Sequence, residues 1–257
     1  MSDQSLESRV RSWLSVSGYP LEMRVARACR EASLATIQSE YVPNEDTQKN
    51  REIDVLAYRQ IGVAGKQAIV ALVIECKSDK SKPWIIFSND TAYTPQVVMQ
   101  KTPANSNAKH SLVSSGVATK AQSLPLFSMP ERTGYTLVRA FEDKASDAAY
   151  QAISAVATAS KSYVNQFNKP SFSSLSVLAF PVLVVDSPLF ECYELAGDVE
   201  LAEVEYGLMV WRNPLSDRFS VVRVVTADRF PELAVEMASS FDALLGAISG
   251  AAVSGIP

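Results

Sequence analysis

The chain has 257 residues, of which 47% are hydrophobic and 20% charged, with a formal net charge of −4. That length buries a substantial core and suits one large domain or two small ones, and the composition excludes a disordered chain. Its longest apolar runs, 69–74 and 175–185, fall short of the roughly 20 residues a membrane-spanning helix needs.

In chain order, residues 4–15 set Leu6, Val10, Trp13 and Leu14 at helical spacing, and Gly18-Tyr19-Pro20 ends that helix. A second helix starts at Pro20, a residue favoured at the first helical position. Its apolar stripe is Leu21, Val25, Ala28 and Ala32, with Arg24, Arg27 and Glu31 on another face. Strand-like segments follow at 36–42, 51–60 and 67–77, separated by turn-rich stretches at 43–50 and 62–65, so an antiparallel meander is the economical reading. Between 78 and 143 the pattern weakens. A short strand at 84–87 precedes a stretch, 102–130, rich in Ser, Ala, Asn, Thr and Pro, which reads as a loop-rich insertion. A helix over about 144–166 resumes regular structure, with Ala149, Ile153, Val156, Ser160 and Tyr163 on its buried face. Strands are expected at 175–185, 189–194, 204–211 and 219–225, then a final helix at 231–248 and a frayed Gly/Ala-rich tail.

The three cysteines, Cys29, Cys76 and Cys192, are widely spaced in apolar segments and read as free thiols of a reducing compartment. With no CxxC pair and a single histidine, His110, zinc sites built from His and Cys are excluded. A bound metal would need oxygen ligands, which favours magnesium or manganese. The start MSDQSLESRV lacks the basic and apolar parts of a secretion signal, so a cytoplasmic chain without a membrane is expected. Residues 1–77 hold ten basic and ten acidic side chains, whereas 144–257 hold seven and thirteen. Six acids and no base lie between Glu191 and Glu205, a stretch that should face away from any phosphate backbone.

The segment 67–77 carries the chemistry. Residues 69–74 are continuously apolar, as in a strand covered on both faces, and lead into Glu75-Cys76-Lys77. Strand alternation sends Glu75 and Lys77 to one face and Cys76 to the other. Alone, this triplet is an ordinary salt bridge. Asp54, inside the apolar run of the preceding strand, lies beside Glu75 if the two strands form a hairpin. Two adjacent carboxylates repel and need a cation to stay ionised, and a magnesium ion there would activate water and polarise a phosphoryl oxygen. Lys77 would orient or deprotonate the attacking water, or stabilise charge on phosphorus. Glu22, in the first turn after Pro20, is a weaker third acid, since the helix dipole favours a carboxylate there in any case.

A helical Glu22, then Asp54 in Arg51-Glu52-Ile53-Asp54-Val55, then Val73-Ile74-Glu75-Cys76-Lys77 resembles the PD-(D/E)xK restriction-endonuclease-like nucleases. Ile53 stands where the motif's name has proline. The resemblance covers residues 18–77. It implies an α/β fold with a restriction-endonuclease-like core, a central mixed β-sheet flanked by helices, and a loop-rich insertion after the E-x-K strand. As a single domain over 1–257, that core would span about 18–77 and 144–226, with the insertion at 78–143 and the C-terminal helix at 231–248. It further implies Mg2+, or Mn2+ in its place, bound by Asp54, Glu75 and the main-chain carbonyl of Cys76, with Glu22 direct or through water. Hydrolysis would leave a 5′-phosphate, and Gln151 matches a helical glutamine of some relatives.

Lys82 and Trp84 follow the motif closely and could contact substrate, with Trp84 stacking on a base or filling the core. The leading expectation is a DNA endonuclease of restriction or defence type, acting alone, as a homodimer or with a partner protein. The other is a catalytically inactive module of the same fold that binds nucleic acid or a protein.

Overall fold

The structure, a computed structural model, describes residues 5–44, 49–63, 66–91, 93–114, 123–142, 147–212 and 219–249. Residues 45–48 and 64–65 of the expected turns, 115–122 of the expected insertion, the expected helix start near Lys144 and the residues after 249 lie outside them. Helix α1 (Leu6–Val16) is capped by Ser5, whose hydroxyl accepts from the Ser8 N–H, yet it buries no residue. Its apolar stripe of Leu6, Val10 and Trp13 stays in solvent. Helix α2 (Tyr19–Glu31) has Pro20 in its first turn and buries Leu21, Val25, Ala26, Ala28 and Cys29.

Strands β1 (Ala35–Asn44), β2 (Lys49–Val63) and β3 (Lys66–Lys77) form the expected antiparallel meander. On its other side β3 pairs in parallel with β6 (Leu175–Val185), in unbroken register from Gln67↔Leu175 to Lys77↔Val185. Every residue of β6 is buried. Two apolar layers sandwich these strands, which explains their unbroken hydrophobic runs. Val70, Leu72 and Ile74 face the layer built with α2, while Ala71 and Val73 face the layer of α5 (Ala148–Asn165). Helix α5 buries Ala149, Ile153, Val156, Ser160 and Tyr163, as its periodicity predicts. The closing helix α6 (Phe230–Ser249) packs Phe241 and Leu244 into the α2 layer.

The remaining strands are β4 (Trp84–Asp90), β5 (Arg132–Arg139), β7 (Leu189–Leu195), β8 (Asp198–Val204), β9 (Tyr206–Arg212) and β10 (Phe219–Thr226). All join one ten-stranded mixed sheet of order β1-β2-β3-β6-β10-β9-β5-β4-β7-β8. The protein is thus α/β with a large mixed sheet flanked by helices.

The loop-rich insertion expected at 78–143 is corrected. It supplies β4 and β5 as well as two short helices, α3 (Pro95–Lys101) and α4 (Ser106–Ser114). Buried Asn105 fixes the entry to α4. Its amide donates to the Leu175 carbonyl, and its side-chain oxygen accepts from the Ala108 and Val177 N–H groups. One polar residue thus supplies the anchoring that a longer apolar stripe would otherwise provide.

The two halves of the sheet meet at a narrow seam. Strand β5 pairs with β9 in parallel through Gly134↔Met209 alone among the described residues. A Cβ at Gly134 would collide with the Met209 thioether and the Ile86 side chain, so glycine is what lets the two backbones approach.

Candidate carboxylate and lysine site

The site forms where β2 parts from β3. Their ladder runs from Val63↔Lys66 to Val55↔Ile74 and ends one step before Asp54 would face Glu75. On the other side, pairing with β1 passes from Gln38↔Val55 to Glu40↔Ile53, over Ser39 and Asp54. Ser39 adopts φ 53°, in the left-handed region, at a cost of roughly 1–2 kcal/mol for a residue with a Cβ. Ile53 and Val55 belong to different core layers, although residues two apart in a regular strand share a face. The strand therefore turns at Asp54. Its Oδ2 accepts from the Cys76 N–H at 2.7 Å, standing in for the ladder carbonyl that β2 no longer offers.

Glu75 and Lys77 share the face that alternation assigns them, and Lys77 Nζ lies 2.6 Å from Glu75 Oε1. The Glu75 side chain is only 12% exposed and that of Lys77 39%. Burial opposes the Lys77 ammonium, but the charge and hydrogen bond of Glu75 outweigh it, so the Lys77 pKa rises. Burial pushes Asp54 up to about 7; repulsion from Glu75 adds to this and the Cys76 N–H partly offsets it. Glu22 is raised as well, by burial and then by Glu52 and Glu75. Its carboxylate sits against Gly18 at the start of α2. Glu22, Asp54, Glu75 and Lys77 thus lie close enough to act on one another's charge.

The donor chemistry fits a hard divalent cation. Asp54 and Glu75 are poorly solvated carboxylates whose repulsion a cation would relieve, and the Cys76 carbonyl, directly after Glu75 in the chain, is a further oxygen donor. Among the described residues no group of three or more His, Cys, Asp and Glu side chains is arranged to hold a metal. A cation here would have two carboxylates and a main-chain oxygen as ligands and would need the waters that magnesium tends to keep, with Glu22 direct or through water. The Cys76 thiol is 6% exposed in the α2 layer, and burial drives its pKa well up, so it stays out of the ligand set.

The outlying residues fare differently. Trp84 is 1% exposed and packs in the α5 layer. Of its two expected places, stacking on a base and filling the core, Trp84 takes the core, at the start of β4. Gln151 is exposed on the first turn of α5, with no described hydrogen bond to the acids. Lys82 is half-buried beside Asp79 and helps hold that carboxylate below its ordinary range, after the Ser81 hydrogen bonds and Arg139. Asp186 escapes the sequence reading. It follows β6, donates its N–H to the Lys77 carbonyl at 2.9 Å, and pairs with Arg24 at 2.7 Å and Lys80 at 3.8 Å. Its only sequence signal is a carboxylate directly after a fully apolar strand.

Fold and site together define an α/β protein with carboxylates and a lysine at the open end of its central strands. No family model, curated protein or solved structure matches this chain.

Proposed function

We propose that the protein is a Mg2+-dependent nuclease of the PD-(D/E)xK restriction-endonuclease-like kind, hydrolysing DNA phosphodiester bonds at Asp54, Glu75 and Lys77. The observation that carries this reading is the parting of β2 from β3, which sets a desolvated Asp54 carboxylate against the Cys76 N–H and beside Glu75. The succession of α2, the β1–β3 meander, α5 and a parallel β6 supports it, as does the match of Glu22, Asp54, Glu75 and Lys77 to the family's motif. A role in restriction or defence follows the habits of that family.

A magnesium ion held by these oxygens would supply Lewis-acid polarisation of a phosphoryl oxygen and acidify water. The protein's own part is positioning and charge. Water attacks phosphorus in line with the departing 3′ oxygen, which leaves protonated, and the 5′-phosphate remains on the other fragment. Lys77, held as an ammonium by Glu75, suits donation to a non-bridging phosphoryl oxygen better than removal of a proton from water.

The test is cleavage of plasmid, linear and single-stranded DNA, and of RNA, with and without magnesium or manganese. Wild type is expected to cut with metal, while Asp54→Ala and Lys77→Ala lose at least about 100-fold. Cutting that survives both substitutions, or persists in chelator, would overturn the assignment. The inactive-module reading gains from the 2.6 Å Lys77–Glu75 pair, which satisfies both charges without a cation. Absence of both cleavage and calorimetric magnesium binding would favour it.

A further inference from the structure

The seam between β5 and β9 opens into a cleft of about 560 Å³. We propose that this cleft binds one unpaired base of a single-stranded nucleic acid by stacking, an inference that rests on the nucleic-acid reading above. Beyond Gly134↔Met209 the two parallel strands splay, because each is paired only on its far side, β5 with β4 and β9 with β10. Tyr135–Leu137 and Val210–Arg212 therefore turn backbone edges toward the gap, and both segments line it. Such edges offer N–H and C=O groups in the plane of an inserted ring.

Aromatic side chains surround the opening. Tyr93, Tyr135, Tyr150 and Trp211 all line the cleft. Tyr135 and Tyr150 are 59% and 43% exposed, unusually open for rings of that size. Tyr150 and Trp211 form a tilted pair, 6.3 Å apart at 55°, so the exposed Tyr150 ring is held in place by its neighbour. Arg212 hydrogen-bonds the Tyr93 side chain at the mouth, where its guanidinium can meet a phosphate. Exposed rings, an in-plane polar floor and a cation at the rim match a nucleotide: a flat π surface, an edge that hydrogen-bonds and a charged tail. An extended peptide could use the backbone edges but has less use for the rings. The floor residues Leu137, Ile153 and Met209 belong to the same core layer as Val73, two residues before Glu75 on β3. Cleft and the Glu75 side chain thus lie on one face of the sheet, opposite the face that packs on α2.

The experiment is fluorescence anisotropy with labelled single-stranded octanucleotides in EDTA, so that binding is read apart from cleavage. Wild type and Glu200→Gln, on the far-edge strand β8, are expected to bind alike, whereas Tyr135→Ala and Tyr150→Ala each weaken binding about tenfold. An abasic octamer should bind wild type as weakly as the intact octamer binds those variants. Equal affinity for intact and abasic strands would overturn the inference, as would binding of an extended peptide in preference to any oligonucleotide. The two readings fail separately. Base-dependent binding with no cleavage in magnesium would leave the cleft assigned and the nuclease reading lost, and cleavage without base dependence the reverse. Tyr135→Phe and Tyr150→Phe, which keep the rings, should retain affinity within about threefold, so loss in the alanine variants alone is read as loss of the ring.

Discussion

At the residue scale, Asp54 makes the site sensitive to pH in a defined direction. Its native pKa is about 7 against an ordinary 3.8, so between those values the native state binds more protons than the unfolded chain. Stability of the metal-free protein therefore falls as pH rises from about 4 to about 7. Each tenfold change in proton affinity is about 1.4 kcal/mol. Urea unfolding in EDTA across that range should show a declining midpoint that Asp54→Asn flattens. Saturating magnesium should reverse the trend in wild type, because the cation competes with the proton for one carboxylate. A midpoint that rises with pH in EDTA would contradict the burial assigned to Asp54. The hairpin that brings Asp54 toward Glu75 was legible because register follows from a short turn and the hydrophobic pattern, but not that its ladder stops at Val55↔Ile74, one step short of an Asp54–Glu75 pair. The Cys76 N–H bond and the 2.6 Å Lys77–Glu75 contact were not, since both depend on where β2 twists away.

Among the elements, the seam is the test of how the halves of the sheet hold together. Gly134→Ala drives a methyl group into Met209 and Ile86, and overpacking of this kind costs about 1–3 kcal/mol. The variant should unfold at lower denaturant, and amide exchange should quicken in β5 and β9 before β3 and β6. Uniform quickening across all ten strands would show that the seam is no weak point. The elements that sequence reading found and missed divide along physical lines. Strands β2, β3 and β6 announce themselves because both their faces are covered. Strand β8 hid because its Val199 and Leu201 are exposed and three of its seven residues are acids, leaving no buried face to mark it. Strand β5 is interrupted by Gly134, and α3 and α4 are too short for a helical period to emerge. The position of β4 and β5 in the sheet is set by pairings with β7 and β9, which local patterns do not encode.

On the scale of the whole molecule, charge is distributed along the sheet order. The acids of β7 and β8 lie at one end of the sheet, with Glu191 turned inward to Arg132 at 3.0 Å. The carboxylate site sits near the other end, on β2 and β3, with Arg24 beside it through Asp186. Oligonucleotide affinity should therefore depend on salt through Arg24 and not through the far edge. Arg24→Gln is expected to lower the slope of log affinity against log salt by about one, and Glu200→Gln to leave it unchanged. The reverse result would move the binding face.

Pairing of β3 with β6 carries a consequence for how the protein is made. Ninety-eight positions separate Lys77 from Leu175, so at about 5–20 residues per second a ribosome needs roughly 5–20 s to supply the partner of β3. Throughout that interval the apolar run from Ile69 to Ile74 has one edge open on the nascent chain. The same strand that later carries Glu75 and Lys77 is then the segment most exposed to chance association. Its safe passage rests on chaperone cover or on the early meander folding back over it.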